Sequence, residues 1–366
     1  METPILPDIS LNLSTTLYNY DTDTWENTDA TIIITADGTE IVNQNISTGI
    51  NTIPLSPQYD SYTITVAKVA VETYTQTFSK EAIESYNSTS PLLIELLDKT
   101  YDASLTIRTK EEYDVFVAEQ YGRVSGSITF FRIPSITNFN EIATLRSIGK
   151  GLRIVEVPSL TSLEGLHNIT RVDDLRISNN DALINLTALR NLITINDDIL
   201  ISDNDMLTNL DGLDSITSLP GLLKIENNDR LTNLFGLHNL TIVAGNIAIV
   251  ANSELNDLGA LNNLTAIVSR LTIQGNAKLT TLNGLHNITS VAGDLVLAEN
   301  PITNLEGLNG INSIGGDIEI YNNGMLSNWC AIQDLFLNNG VGGLVLFGNC
   351  LYNPTVEDIM NGACSQ

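Results

Sequence analysis

The sequence predicts a mostly β protein in two parts. A β-sandwich is expected over residues 8–100, after a short leader at residues 1–7. A right-handed parallel solenoid with helical caps, about 23–24 residues per coil, is expected over residues 101–366. Three observations predict this. Aromatic residues divide the chain: residues 1–131 hold fourteen of the twenty-one, whereas residues 160–300 hold only Phe235. The first hundred residues show short alternating runs between turn signals. From about residue 103 onward the sequence repeats.

The first part carries alternating runs at Ile9–Leu17, Thr31–Thr35, Ile41–Ile46, Tyr62–Val69 and Tyr74–Phe78. Asp37-Gly38, Thr48-Gly49 and the Pro54–Pro57 stretch separate them as turns. β-Branched strands at roughly ten-residue spacing suit two packed antiparallel sheets. Asp21, Asp23, Glu26 and Asp29 fall in one acidic loop. Hard cations take several carboxylate oxygens, so Asp21, Asp23 and Asp29 form a candidate structural calcium site. Their spacing fits no EF-hand, and a solvated loop is the plainer reading.

The second part aligns on an asparagine: Asn180, Asn204, Asn228, Asn252, Asn276, Asn300 and Asn323, in steps of 24, 24, 24, 24, 24 and 23 residues. Each unit follows L-x-I-x-x-N-x-x-L-x-x-L-x-G-L-x-x-I-x-x-I. The opening alternates as a strand does, with Leu175 and Ile177 inward and Arg176 and Ser178 outward. Leu183, Leu186, Leu189, Leu192 and Ile195 then bury the rest of the coil. The recurring amide is expected to satisfy backbone groups of the turn and to form a ladder with its stacked copies. Leu105/Ile107, Ile128/Phe130 and Leu152/Ile154 extend the strand positions upstream. Lys110–Gln120 reads as a capping helix with Val115 and Phe116 available for burial. Trp329–Leu337 and Pro354–Met360 read as helices of a C-terminal cap, with Leu344/Leu346 and Asn349 between them as a last coil. Caps are needed because an open solenoid end exposes its core and a sheet edge.

At these residues the chain resembles a known group. The L-x-I-x-x-N-x-x-L-x-x-L-x-G-L-x-N-I-T-x-V template resembles the leucine-rich repeats of receptor-L-domain-like proteins. SLTIRTKEEYDVFVAEQYGRVSGSITFF resembles the opening of an L domain, and NWCAIQDLF…GNCLYNPTVEDIMNGAC resembles the terminal cap of large Bacteroidota surface proteins. Such repeats often follow Ig-like or prealbumin-like β domains. The resemblance covers about residues 103–366. It implies an exported or cell-surface protein and names no single ligand, because the scaffold serves many.

Charge narrows the function. With 17 Lys+Arg against 43 Asp+Glu, the net charge is -26, which repels nucleic acid and anionic membrane. No apolar run reaches the ~20 residues of a membrane span. The opening METPILPDIS lacks a signal peptide. It suits either a cytosolic chain or, as composition favours, an exported mature form whose leader follows a cleavage site or lipid anchor. Cys330, Cys350 and Cys364 cluster in the terminal cap. A disulfide between Cys330 and Cys364 would tie the cap's first helix to the chain end, with Cys350–Cys364 as the rival pairing.

No catalytic constellation is visible, so the chain reads as a non-enzyme. His167, His238 and His286 share the GLHN column, too far apart for one metal site. The adjacent pairs Asp173/Asp174 and Asp197/Asp198 lie in repeat positions, where neighbouring strand residues face opposite ways. The sequons at Asn168, Asn185, Asn239, Asn263 and Asn287 read as one column of packing and turn residues. No cofactor is expected beyond the calcium candidate.

What remains is the outward strand face. Its central row reads Arg176, Leu200, Lys224, Ala248, Thr272, Val296, Glu319 and Val345. Flanking rows read Asp174, Asp198, Leu222, Asn246, Arg270, Asp294, Asp317, and Ser178, Ser202, Glu226, Val250, Gln274, Ala298, Tyr321, Phe347. Arg176, Leu200, Leu222, Lys224, Arg270, Tyr321 and Phe347 are the candidate ligand-binding residues. The expected role is an exported, monomeric adhesion or binding module that recognises a protein partner. The alternatives are a glycan-binding accessory protein, using Trp25 and the tyrosines of the first part, or a structural spacer.

Overall fold

The computed structural model describes residues 9–19, 24–55, 58–86 and 90–366. The fold is mostly β, with 35% strand and 11% helix. It divides into two compact units: the described residues up to Tyr101 with Phe116–Arg123, and Asp102–Val115 with Val124–Gln366.

The first unit holds two four-stranded sheets. In one, Ile9–Asn19 pairs antiparallel with Asn51–Leu55 and Thr24–Asn27, and parallel with Leu92–Leu96. In the other, Thr39–Ile46, Ala30–Ala36, Ser61–Ala67 and Tyr74–Ser79 pair antiparallel in that order. Alternation does its work here: Ala30, Ile32, Ile34 and Ala36 are buried while the residues between them are half-buried. They share one apolar core with Leu11, Leu13, Ile53, Tyr62, Ile64 and Ile94, drawn from both sheets. The strand Asn51–Leu55 includes Pro54, which the sequence reading placed in a turn. Pro54 is exposed, and an edge position tolerates its missing N–H.

In the second unit eleven strands form one parallel sheet, from Leu105–Ile107 to Val345–Gly348. Leu175 pairs with Ile199, Ile199 with Leu223, and Leu223 with Ile247, so each strand repeats the last one coil later. Such a sheet is compatible with a solenoid. Its inner column, Leu152, Leu175, Ile199, Leu223, Ile247, Leu271, Leu295 and Ile318, is buried throughout. A second, narrower sheet of five two-residue strands runs from Ser218–Leu219 to Ser313–Ile314.

Coils turn their far corner in two ways. Thr187–Leu189, Gly259–Leu261 and Cys330–Ile332 each make a short 3-10 turn. Elsewhere a glycine does it: Gly165, Gly212, Gly236, Gly284 and Gly307 have φ between 103° and 115°. A Cβ on Gly236 would lie 1.9 Å from the Leu210 carbonyl oxygen of the preceding coil. Only glycine permits both the backbone angle and the approach.

The terminal elements differ in part from expectation. The expected capping helix spans Lys110–Glu119 and buries Tyr113 and Phe116, but Val115 is 64% exposed. Tyr113 takes the place expected for Val115, its ring 6.3 Å from Phe130. At the other end, Val345 and Phe347 pair with the inward Ile318 and Ile320, so they take the inner column. Leu344 and Leu346 are 67% and 53% exposed. The expected last coil was therefore out by one residue, and a one-residue slip exchanges the two faces of a strand. A buried Trp329 drives the exchange, its ring 4.5 Å from Phe347.

Candidate binding face

The ladder asparagines are a structural spine. Asn180, Asn204, Asn228, Asn252, Asn276, Asn300 and Asn323 are all buried. The Asn228 side-chain oxygen accepts from the backbone N–H and the amide of Asn204. Its nitrogen donates to the carbonyls of Ile201 and Glu226 and to Asn252 Oδ1. From Asn180 to Asn276 each amide thus joins three coils, which satisfies the polar groups that a buried turn would otherwise orphan. In the last coil Cys350 stands three residues after Phe347, where the asparagine stands in earlier coils. Burial pushes its thiol pKa up, against the lowering effect of Asn323.

One residue before each ladder position the backbone is left-handed. Arg132, Glu156, Asn179, Asp203, Asn227, Ala251, Glu299, Asn322 and Asn349 all have φ between 53° and 59°. Gly275 completes the column at 70°. Sequence reasoning missed this column. Its Asn, Asp and Gly members were the available signal, because those residues enter the left-handed region most readily.

A second spine runs along the start of the strands. Asp198 accepts from the Leu222 N–H at 2.6 Å, Asn246 from Arg270 at 3.2 Å, Asp294 from Asp317 at 2.9 Å and Asp317 from Leu344 at 2.7 Å. Glycine in the adjoining coil leaves room for the carboxylates, since a Cβ on Gly221 would lie 2.3 Å from Asp198 Oδ1. The flanking acids therefore hold coils together. Asp173 likewise accepts from Asn196 at 2.8 Å.

The sequon column has the same use. Asn168, Asn239, Asn263 and Asn287 donate to carbonyls of the preceding coil at 2.6–2.8 Å. Asn185 does not belong to this column. It accepts from its own Thr187, and Asn191 takes the inter-coil role by donating to the His167 carbonyl. His167 and His238 are half-buried and His286 is exposed. Among the described residues no group of three or more His, Cys, Asp or Glu is placed to hold a metal.

The candidate face itself divides. Val296 and Ala298, read as outward, are 5% and 0% exposed. Arg270 forms ion pairs with Asp294 at 3.1 Å and Glu319 at 3.6 Å. Reaching Glu319 takes its side chain across the intervening coil, where Val296 stands. Ala298 lies between the larger Gln274 and Tyr321. Ser178 and Ser202 are buried too, and Arg176 Nε donates to Ser178 Oγ at 3.2 Å. Lys224 is engaged with Glu226 at 2.5 Å. Phe347 belongs to the core side, packed on Trp329 and Phe336. Leu200, Leu222 and Tyr321 are half-buried on the face.

Arg176 is different. It is exposed, and its Nε donates to Ser178 Oγ. It borders a shallow hollow of about 330 Å³ lined also by Arg153, Asp174, Asp197, Asp198 and Leu200. Arg153 grips Asp174 through two bonds of 2.8 Å, so that pair is internally neutral. The hollow thus offers a fork of donors, an exposed carboxylate at Asp197 and the apolar Leu200. Those groups can donate and accept hydrogen bonds and offer a small apolar contact.

The other candidates fare differently. Asp29 is turned to Lys68, which also donates to Thr28 Oγ1 at 2.6 Å. Lys68 holds the Asp29 carboxyl below its ordinary range. Asp21 and Asp23 lie outside the described residues. Among the described first-unit aromatics, Tyr62 and Phe78 are buried, Tyr59, Tyr74 and Tyr86 pack against the core, Tyr101 and Tyr121 are half-buried, and Trp25 is 40% exposed. In the cap, the disulfide joins Cys330 to Cys364, and Cys350 is free. No helix among the described residues is long and apolar enough to cross a membrane.

No protein-family model, no curated protein and no solved structure matches this chain.

Proposed function

We propose that this chain is a non-enzymatic, exported or cell-surface binding module that recognises a protein partner through the exposed strand face around Arg176. On this reading the coil stack is a leucine-rich, L-domain-like solenoid with helical caps, and the first unit is an Ig-like or prealbumin-like sandwich, as in Bacteroidota surface proteins. The observation that carries it is the contrast between two sides of one sheet. The inner column repeats Leu and Ile, whereas the outer row reads Arg176, Leu200, Lys224, Ala248, Thr272 without repeating. Packing explains the first side and leaves the second free to carry specificity. The Cys330–Cys364 disulfide supports an oxidising compartment.

The packed tyrosines leave little aromatic platform for the glycan reading. The test is to expose the immobilised full chain in parallel to a glycan array and to a cell-surface protein fraction. Retention of a protein and of no glycan is expected. Glycan binding abolished by Trp25→Ala would replace the proposal.

A further inference from the structure

We infer that the open edge at Val345–Gly348 is a self-association site, where a second copy of this chain adds its own edge strand antiparallel. In the parallel register, Ile318 donates to the Leu344 carbonyl and Asn322 to the Gly348 carbonyl. Leu344, Leu346 and Gly348 therefore spend their main-chain groups on the sheet. Val345 and Phe347 point theirs the other way, at the end of the ladder. Unpaired edge groups are a template for another strand.

Proteins usually guard such an edge with charge, proline or a bulge. This one carries none. There is no charged residue between Asp334 and Glu357, a run of 22 residues. Leu344, Leu346 and Leu351 are 67%, 53% and 65% exposed around it. Charge selects the occupant. Two molecules of net charge -26 repel over most of their surfaces, and an edge strand that carries no charge of its own is where they approach with less repulsion. A basic partner would instead be drawn to the acidic surfaces.

A two-fold register centred on Leu346 sets Val345 opposite Phe347 of the second copy. Both outward N–H groups and both outward carbonyls of each copy are then paired. The two Leu346 side chains face each other on the outer side of the sheet, the closer kind of antiparallel pair. One short strand pair buries less than the ~1,000 Å² of a stable interface, so the dimer is weak and concentration-dependent. Global repulsion opposes it, so salt strengthens it.

Sedimentation equilibrium of the full chain tests this, in a Cys350→Ser background that removes thiol-linked dimers. The dimer fraction should rise with protein concentration, and rise again in about 0.5 M salt. Leu346→Lys should weaken association about tenfold or more, because it sets like charges opposite each other. It also lowers the net negative charge, so a loss cannot be assigned to global repulsion. Amide exchange at Val345 and Phe347 should slow in the wild-type dimer, a readout independent of any substitution. A chain that stays monomeric at all concentrations overturns the inference. So does a dimer unaffected by Leu346→Lys with unchanged exchange at those amides.

Discussion

The backbone N–H of Asn204 donates to the side-chain oxygen of Asn228, 24 residues later, at 3.2 Å. The bond runs between coils rather than along the chain. It makes the amide column a buried tie between neighbouring coils, beside the strand ladder and the flanking acids.

Asn228→Ala should therefore cost about 3 kcal/mol, because it orphans the buried Asn204 N–H and removes the amide's bonds to the Ile201 and Glu226 carbonyls. Chemical denaturation checks it. Asn227→Ala, one residue away and exposed, should cost much less. Equal losses would mean that the backbone turn, and not the ladder, sets the stability.

Gly236→Ala should cost about 3 kcal/mol or more, since φ is 103° and the added carbon meets the Leu210 carbonyl. Gly324→Ala is the contrast. Nothing lies within 4 Å of its added Cβ, and its φ is not positive. The thermal midpoint should drop sharply for the first and hardly move for the second.

Ala251 is left-handed, at φ 54°. Ala251→Gly should gain about 0.5–1 kcal/mol by relieving that conformation. Ala248→Gly, in the strand of the same coil, should lose a similar amount. Opposite signs for one substitution three residues apart would establish the left-handed column.

Asp205 carries a pKa raised above its ordinary 3.8, first by desolvation and then by Asp181, Asp229 and Asp203. The folded protein therefore holds this proton more tightly than the unfolded chain. The group costs stability at neutral pH, and the cost disappears as pH falls through its raised pKa toward 3.8. Asp205→Asn should raise the thermal midpoint at pH 7, with a gain that shrinks in acid and in high salt.

These positions differ in how far the sequence announced them. The ladder asparagines, the inner Leu and Ile column and the recurring glycines were legible because the repeat imposes one constraint many times. The last coil was not. Both Leu344/Leu346 and Val345/Phe347 alternate, and only Trp329 packing on Phe347 decides between them. The flanking acids were misread for a related reason. Asp198 looks like surface until the Leu222 N–H of the next coil is placed 2.6 Å from it. Val296 was called outward by alternation alone, which knows nothing of the Arg270 arm reaching across it to Glu319. In the first unit Leu92–Leu96 was missed, since its parallel partner Leu13–Leu17 lies far away in sequence.

The most direct measurement of the proposed role is partner retention by two charge-reversed full-length variants, each shown to keep the wild-type thermal midpoint. Arg176→Glu changes the exposed guanidinium at the hollow. Arg230→Glu makes the same charge change at an exposed residue off the eleven-stranded sheet. The account predicts that Arg176→Glu lowers retention of a cell-surface protein about tenfold, while Arg230→Glu retains it as wild type does. Equal retention by both variants, or equal loss, would contradict recognition through the strand face.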